Sequence, residues 1–274
     1  MLETDRIIRN ALQEDIGLGD VTTLATIEAG TVSRAELVAK EDFVLSGIDV
    51  AGRVFSMLDS QVAFEKIRED GFAVQRGEVL AWLKGDARAL LQGERVALNL
   101  LQRMSGISTL TAAFVREIEG SGAVVVDTRK TTPGLRCLEK YAVRMGGGRN
   151  HRSSLHDGVL IKENHVAAAG GIAKAVARAR QRAPHTLRIE VETRNLAEVQ
   201  EALEAGADIV MLDNMDLEGL REAVGLIDGR ALVEASGGVT LETVRAIAET
   251  GVDLISVGAL THSSRSVDIS MLFQ

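Results

Sequence analysis

After residue 120 the chain keeps returning to one pattern, a short continuous apolar run followed by an amphipathic, helix-prone segment. The apolar runs are Ala123–Val126, Gly158–Ile161, Leu187–Val191, Asp208–Leu212, Ala231–Val233 and Asp253–Val257. Unbroken Val/Ile/Leu runs of this length read as strands buried on both faces, which is the situation of a parallel sheet. Ala173–Ala183, Leu196–Ala205 and Leu241–Thr250 supply helical segments between them. An internal echo supports a repeated βα unit: Glu204-Ala-Gly-Ala-Asp-Ile-Val returns later as Glu249-Thr-Gly-Val-Asp-Leu-Ile. Six strands fall short of the eight of a standard barrel, so an open α/β barrel competes with a doubly wound sheet. The polar residues favour the barrel. Nearly every run ends in a chemically loaded group: Asp127-Thr-Arg-Lys130, Lys162-Glu-Asn-His165, Glu190 and Glu192, Asp213-Asn214, Ser236-Gly-Gly238 and Gly258-Ala259. A barrel gathers all such ends at one mouth, whereas a doubly wound sheet gathers them at a single switch point.

Upstream the pattern differs. Ile7, Ile8, Ala11 and Leu12 fit one face of a helix ending at Gly17. Stretches 32–40, 61–68 and 78–84 read as strands, and Ile48, Ala51, Val54, Phe55 and Leu58 recur at helical spacing. A longer helix is predicted from about Ala87 to Met104. The expected division is an α/β domain over 1–107 and the barrel over 108–264.

Charge narrows the function. The whole chain is −8, yet residues 127–165 carry eight cations against four anions. A positive field concentrated in an acidic protein suits a small, multiply anionic ligand; solvated helix faces are the bland reading. The acidic total and 3% aromatic content argue against nucleic acid as the main partner. No apolar run approaches the roughly 20 residues that cross a bilayer, and the charged amino terminus does not read as a signal peptide. The single cysteine, Cys137, excludes an internal disulfide and a thiolate zinc cluster. A cytoplasmic protein is expected.

The strand-end residues suggest their own chemistry. Ser236-Gly237-Gly238 ahead of a helix and Gly258-Ala259 after the last strand let backbone N–H groups approach a phosphate, if they are not simply tight turns. Glu192 and Asp213 close neighbouring strands and form an oxygen pair suited to Mg²⁺. Glu190 has the same parity as Glu192, which is preferred because it lies nearer the strand end. Arg129, Lys130, Arg152 and Lys162 bring cations to the same mouth. His151 either donates to an anion or is a satisfied loop histidine. A buried Lys162 could instead form a Schiff base. Arg95 lies in an otherwise apolar helix segment and is either a surface residue or an arm toward a partner subunit.

Three runs carry a family resemblance: Asp127-Thr-Arg-Lys-Thr-Thr-Pro-Gly-Leu-Arg136, Gly146-Gly-Gly-Arg-Asn-His-Arg152 and Ile161-Lys-Glu-Asn-His165. With Gly93-Glu-Arg-Val-Ala-Leu-Asn99, Gly206–Asn214, Glu234–Gly238 and Gly251–Leu260, they closely resemble quinolinate phosphoribosyltransferases over essentially the whole chain. The resemblance implies an incomplete α/β barrel with an N-terminal α/β sandwich, to which residues 265–274 return. It implies a homodimer or higher assembly, with Arg95 contributed across the interface, and a reaction of de novo NAD biosynthesis. Arg95, Thr128, Arg129, His151, Arg152 and Lys162 correspond to the quinolinate site. Lys130, Ser236, Gly237, Gly238, Gly258 and Ala259 correspond to the phosphoribosyl pyrophosphate site, and Glu192 and Asp213 to the Mg²⁺ ligands. Lys130, Lys162, Glu192 and Asp213 are the expected catalytic groups. A paralogue acting on another base, a Schiff-base aldolase using Lys162 and a non-catalytic anion sensor are the competing readings.

Overall fold

The structure is a computed structural model that describes residues 2–274. In chain order the first elements are α1 (Leu2–Ile16), α2 (Val21–Thr26), β1 (Val32–Ala39), β2 (Phe43–Val44), α3 (Ile48–Leu58), β3 (Ala63–Lys66), β4 (Ala73–Val74), β5 (Val79–Asp86) and α4 (Ala87–Glu117). Then follow β6 (Val124–Val126), α5 (Arg136–Met145), β7 (Val159–Ile161), α6 (Glu163–Ala169), α7 (Ile172–Arg182), β8 (Ile189–Thr193) and α8 (Leu196–Glu204). The chain ends with β9 (Ile209–Asp213), α9 (Leu217–Ile227), β10 (Leu232–Ser236), α10 (Val244–Ala248), β11 (Leu254–Ser256), α11 (Ala259–His262) and β12 (Ile269–Phe273).

Two compact units interleave along the chain. The first takes residues up to Ala112, Thr131–Gly147 and Leu260–Gln274; the second takes Ala113–Lys130 and Gly148–Ala259. The expected division at 107/108 lies near this boundary, and both fall inside the unbroken helix α4; residues 131–147, expected in the barrel, belong to the first unit.

The first unit is built on an antiparallel sheet in the order β12-β1-β5-β3. The C-terminal strand β12 pairs with β1 from Ala35↔Phe273 to Ala39↔Ile269, so the tail does return to this unit. Gly106 shows how closely it packs. A Cβ there would lie 1.9 Å from the Arg265 carbonyl oxygen, so any larger residue would displace the backbone. Helix α5 belongs here because its apolar side, Leu138, Ala142 and Val143, is buried and its polar side is tied down. The Tyr141 hydroxyl donates to Asp70, which itself caps Gly47 and Ile48. Glu139, almost wholly buried, accepts from Arg103 at 2.9 Å and from the Thr132 backbone and hydroxyl.

The second unit contains a six-stranded, all-parallel sheet in the order β6-β11-β10-β9-β8-β7. Read from β7 to β11 and then β6, this is the cyclic order of an α/β barrel, with no reversal of the kind a doubly wound sheet requires. Among the described residues β6 and β7 do not pair, so the barrel stays open there. The connection between those two strands carries α5, which packs in the other unit. Beyond β6 the sheet gains only one parallel bridge, Val126↔Arg149. The internal echo reappears as a repeated hydrogen-bond pattern. The Asp208 carboxylate accepts from Ile189 N, and its own N–H donates to Ile189 O; Asp253 does the same with Val233. Asn195 and Asp216 cap α8 and α9 by accepting from Glu198 N and Gly219 N, which starts each helix directly after its strand.

Several sequence expectations are revised. Helix α4 runs to Glu117 rather than Met104, since Ile107 and Phe114 continue its buried face. The helix expected over Leu241–Thr250 shrinks to Val244–Ala248. The two-residue strands β2 and β4 are too short to show a periodicity.

Candidate active site

In a parallel sheet, residues level with one another point to the same face. Glu192 is level with Met211, Met211 with Glu234, and Glu234 with Leu254. Two residues further on, Asp213 is level with Ser236 and Ser236 with Ser256. Glu190, Glu192, Asp213, Glu234 and Ser236 therefore share one face, as expected for the Glu192–Asp213 pair. His151 shows that this face is the inner one. It follows the Arg149 bridge to β6, yet its Nε2 lies 2.9 Å from Glu190 on β8. In a flat sheet β6 and β8, four steps apart, would be separated by about 19 Å, so the sheet must curl to bring them together.

Cations gather where these strands end. Burial and then the charge of Arg129 push the Arg152 guanidinium below its ordinary value, against the opposing charges of Glu190 and Asp157. Arg152 also donates to the Gly158 carbonyl at 3.2 Å. The loop after it is rigid. Burial opposes ionisation of Asp157, but hydrogen bonds from Ser153 and Ser154 win and hold its carboxyl well below the usual range. Lys162 stands at the end of β7 as the residue preceding α6 and is ion-paired with Glu192. Its side chain is 47% exposed, which corrects the idea of a buried lysine and removes the desolvation that imine chemistry requires. Thr128 accepts from Lys130 N at 3.0 Å, making the turn that leaves Lys130 exposed. Arg95 lies in the first unit, exposed on α4.

The glycine rim is shaped by backbone strain rather than by a helix terminus. α10 begins only at Val244, so Ser236-Gly237-Gly238 does not run into a helix as the sequence suggested. Gly237 has φ +95°, and a Cβ there would meet the Asn214 Oδ1 at 2.2 Å, so only glycine fits. Asn214 is itself left-handed at φ 56° and donates its N–H to the Ser236 carbonyl at 2.8 Å. Gly238 follows, also left-handed at φ 61°, so the backbone turns sharply where β10 ends. Gly258 directly precedes α11, with Ala259 as the first helical residue.

On the same face His151, Glu190 and Glu234 come together, a grouping no local sequence pattern indicates. Glu190 and Glu234 are both buried, and their ligand-type atoms lie with that of His151 within 4.8 Å of one another. Burial and then the charge of Glu190 push the Glu234 carboxyl up to about 7, against the opposing pull of His151. Neither Glu234 oxygen has a hydrogen-bond partner among the described residues; the neighbouring Ser256 hydroxyl turns instead to the Ala235 carbonyl at 3.4 Å. Parity with Glu192 is the sequence signal for Glu190; Glu234 directly follows the apolar run Ala231–Val233 and heads the Glu234–Gly238 motif, and the register places it beside Glu190.

An open, curled parallel sheet with two guanidiniums, a row of carboxylates and a glycine cradle at its strand ends defines an α/β-barrel protein for small-anion chemistry. The comparisons agree with that class and narrow it. Family models for the quinolinate phosphoribosyl transferase N-terminal and C-terminal domains match residues 20–105 and 107–272. A protein of Bacillus subtilis (strain 168), named probable nicotinate-nucleotide pyrophosphorylase (carboxylating), is 47% identical over 270 residues, 98% of this chain and 93% of that one. Quinolinate phosphoribosyltransferase (decarboxylating) 1b of Nicotiana tabacum is 45% identical over 97% of this chain and 81% of its own. The crystal structure of NadC from Streptococcus pyogenes superposes with a TM-score of 0.96 at 43% identity, covering 100% of this chain and 97% of that one. The chain belongs to the quinolinate phosphoribosyltransferase family. Among the described residues no helix is long and apolar enough to cross a membrane.

Proposed function

We propose that this chain transfers the phosphoribosyl group of phosphoribosyl pyrophosphate to the ring nitrogen of quinolinate, yielding nicotinate mononucleotide, pyrophosphate and CO₂. Beyond family membership, the observation that carries this reading is the cation-rich stretch at the strand ends that holds Arg129 and the half-buried Arg152. Cations collected there favour a ligand that brings its own anionic groups. A pyridine with two adjacent carboxylates matches that need, and Lys162 and Thr128 complete its surroundings. A monocarboxylate would leave one cation uncompensated, so the site selects for the dicarboxylate.

The phosphoribosyl donor belongs at the Ser236-Gly237-Gly238 and Gly258-Ala259 rim, with Lys130 facing its phosphates. Glu192 and Asp213 face the ribose, where their negative charge stabilises the positive charge that develops at C1 as pyrophosphate leaves. Once the ring nitrogen is alkylated it is cationic and stabilises the carbanion left on the adjacent carbon as that carbon's carboxylate departs as CO₂; the carbon then takes up a proton from solvent or from Lys162. The carboxylates of Glu192 and Asp213 are also the oxygen donors that fit Mg²⁺; when bound, that ion neutralises the leaving pyrophosphate. Asp213 is held for this by the Asn214 amide at 2.8 Å.

The exposed Arg95 on α4 fits a role across a homodimer interface, reaching the quinolinate site of the other subunit. One assay tests the reaction: protein, quinolinate, phosphoribosyl pyrophosphate and Mg²⁺, following nicotinate mononucleotide and CO₂ together, with nicotinate as control. Equal formation of both products from quinolinate alone is expected. Product from nicotinate without CO₂ would overturn the dicarboxylate site.

A further inference from the structure

Both ring nitrogens of His151 are engaged inside the protein. Nδ1 accepts from the Arg152 backbone N–H at 2.7 Å, and Nε2 lies 2.9 Å from Glu190 Oε2 and 3.7 Å from Glu234 Oε1. A nitrogen that accepts a backbone hydrogen carries no proton, so a neutral ring must carry its proton on Nε2 and donate it to Glu190. The same geometry argues against a metal among His151, Glu190 and Glu234. A metal on Nε2 would require the proton on Nδ1, where it would meet the Arg152 N–H head-on.

The backbone around the ring is fixed from the other side. Asp127, fully buried at the end of β6, accepts from His151 N at 2.9 Å and from the Asn150 side chain at 2.6 Å. Residues 150–151 are thus pinned to β6 by their backbone and to β8 by the imidazole, spanning the inside of the open barrel. Arg152 follows directly, so this span sets where its guanidinium stands at the barrel mouth.

We propose that Glu190 and Glu234 are positioning residues for the quinolinate site: they hold the His151 imidazole as its Nε2–H tautomer, and this brace fixes the place of Arg152. Glu190 takes the hydrogen bond. Glu234 places a second oxygen-rich group on the same side, so that the N–H edge of the ring, rather than its C–H edge, faces inward. With its Nε2–H given to Glu190, His151 acts on the substrate through Arg152. The inference rests on the quinolinate assignment above for its kinetic consequence, but its structural content stands apart from that assignment.

Two measurements test it. Nitrogen-15 NMR of ring-labelled wild-type protein reports the His151 tautomer at neutral pH, with His151→Gln assigning the resonance. The Nε2–H form is expected with and without quinolinate; an Nδ1–H or cationic ring in either state, or a stoichiometric bound metal shifting its resonances, would overturn the proposal. Kinetically, Glu190→Ala should raise the quinolinate KM about tenfold while changing the KM for phosphoribosyl pyrophosphate less than about twofold. Glu190→Gln, which keeps an acceptor oxygen, should recover most of that loss. Equal damage to both KM values, or no recovery with Gln, would show a merely structural role. If the wild-type protein does not convert quinolinate, the functional reading fails, while the tautomer still decides the brace.

Discussion

Replacing Glu234 with Gln removes one titratable group from the interior of the curled sheet and should change how stability depends on pH. Glu234 is only 1% exposed and faces Glu190, which together raise its carboxyl from an ordinary 4.5 to about 7. Because the folded pKa is the higher one, the folded state binds more protons than the unfolded chain between those two values. Stability is then greatest below about pH 4.5 with respect to this group, falls as pH rises toward 7, and levels off above it. The difference between the two pKa values corresponds to about 3 kcal/mol of stability missing at pH 8. Gln has nearly the same shape and no charge, so Glu234→Gln should abolish this component and be up to about 3 kcal/mol more stable at pH 8. The assay is urea denaturation of the ligand-free protein from pH 5 to pH 8.5. It should be followed by hydrogen exchange at β10, because the single tryptophan, Trp82, lies in the other unit. Identical pH slopes for the two proteins, or a variant less stable at pH 8, would refute the reasoning.

Other substitutions probe the mouth and the rim. Arg152→Ala should raise the quinolinate KM by about a hundredfold, the cost of losing a charged hydrogen-bonded partner, with a smaller change in the KM for phosphoribosyl pyrophosphate; steady-state kinetics on both substrates reads this directly. Asp213→Asn should lower kcat and flatten the Mg²⁺ dependence, and a wild-type metal titration would reject that role. Gly237→Ala should destabilise the rim by about 2 kcal/mol or more, through its left-handed backbone and the clash with Asn214, and should weaken phosphoribosyl pyrophosphate binding measured by calorimetry. Mixing inactive Arg95→Ala with inactive Lys162→Ala protein should restore activity through hybrid sites; no recovery despite proven subunit exchange would place Arg95 within its own chain's site.

Much of the candidate site was legible because it sits at strand ends. An apolar run stops where side chains leave the core, so Arg129, Lys162, Glu192, Asp213 and Ser236 announce themselves by position. Glu192 and Asp213 are expected to face each other because they close neighbouring strands, and the register puts them on one face. What escaped lies where local pattern and packing diverge. Helix α5 has an amphipathic sequence that would suit either unit, and only its ties through Tyr141 and Glu139 assign it. α10 has a helical composition, yet its first turn is given up to the Thr240–Thr243 turn. Lys162 resembles a buried strand-end lysine in sequence but stands half in water against Glu192.

The sequence therefore carried the fold class, the order of the strands and the kinds of groups at the mouth. Those follow from periodicity and from the rule that parallel strands are buried on both faces. Tertiary structure decided which of those groups meet. The curl of the sheet brings His151, from beside β6, against Glu190 on β8, and turns a loop histidine of open role into a ring whose two nitrogens are both used. It also encloses Glu234 beside another carboxylate and thereby raises its pKa. Contacts between residues distant in sequence depend on curvature and register, which no local pattern of residues encodes.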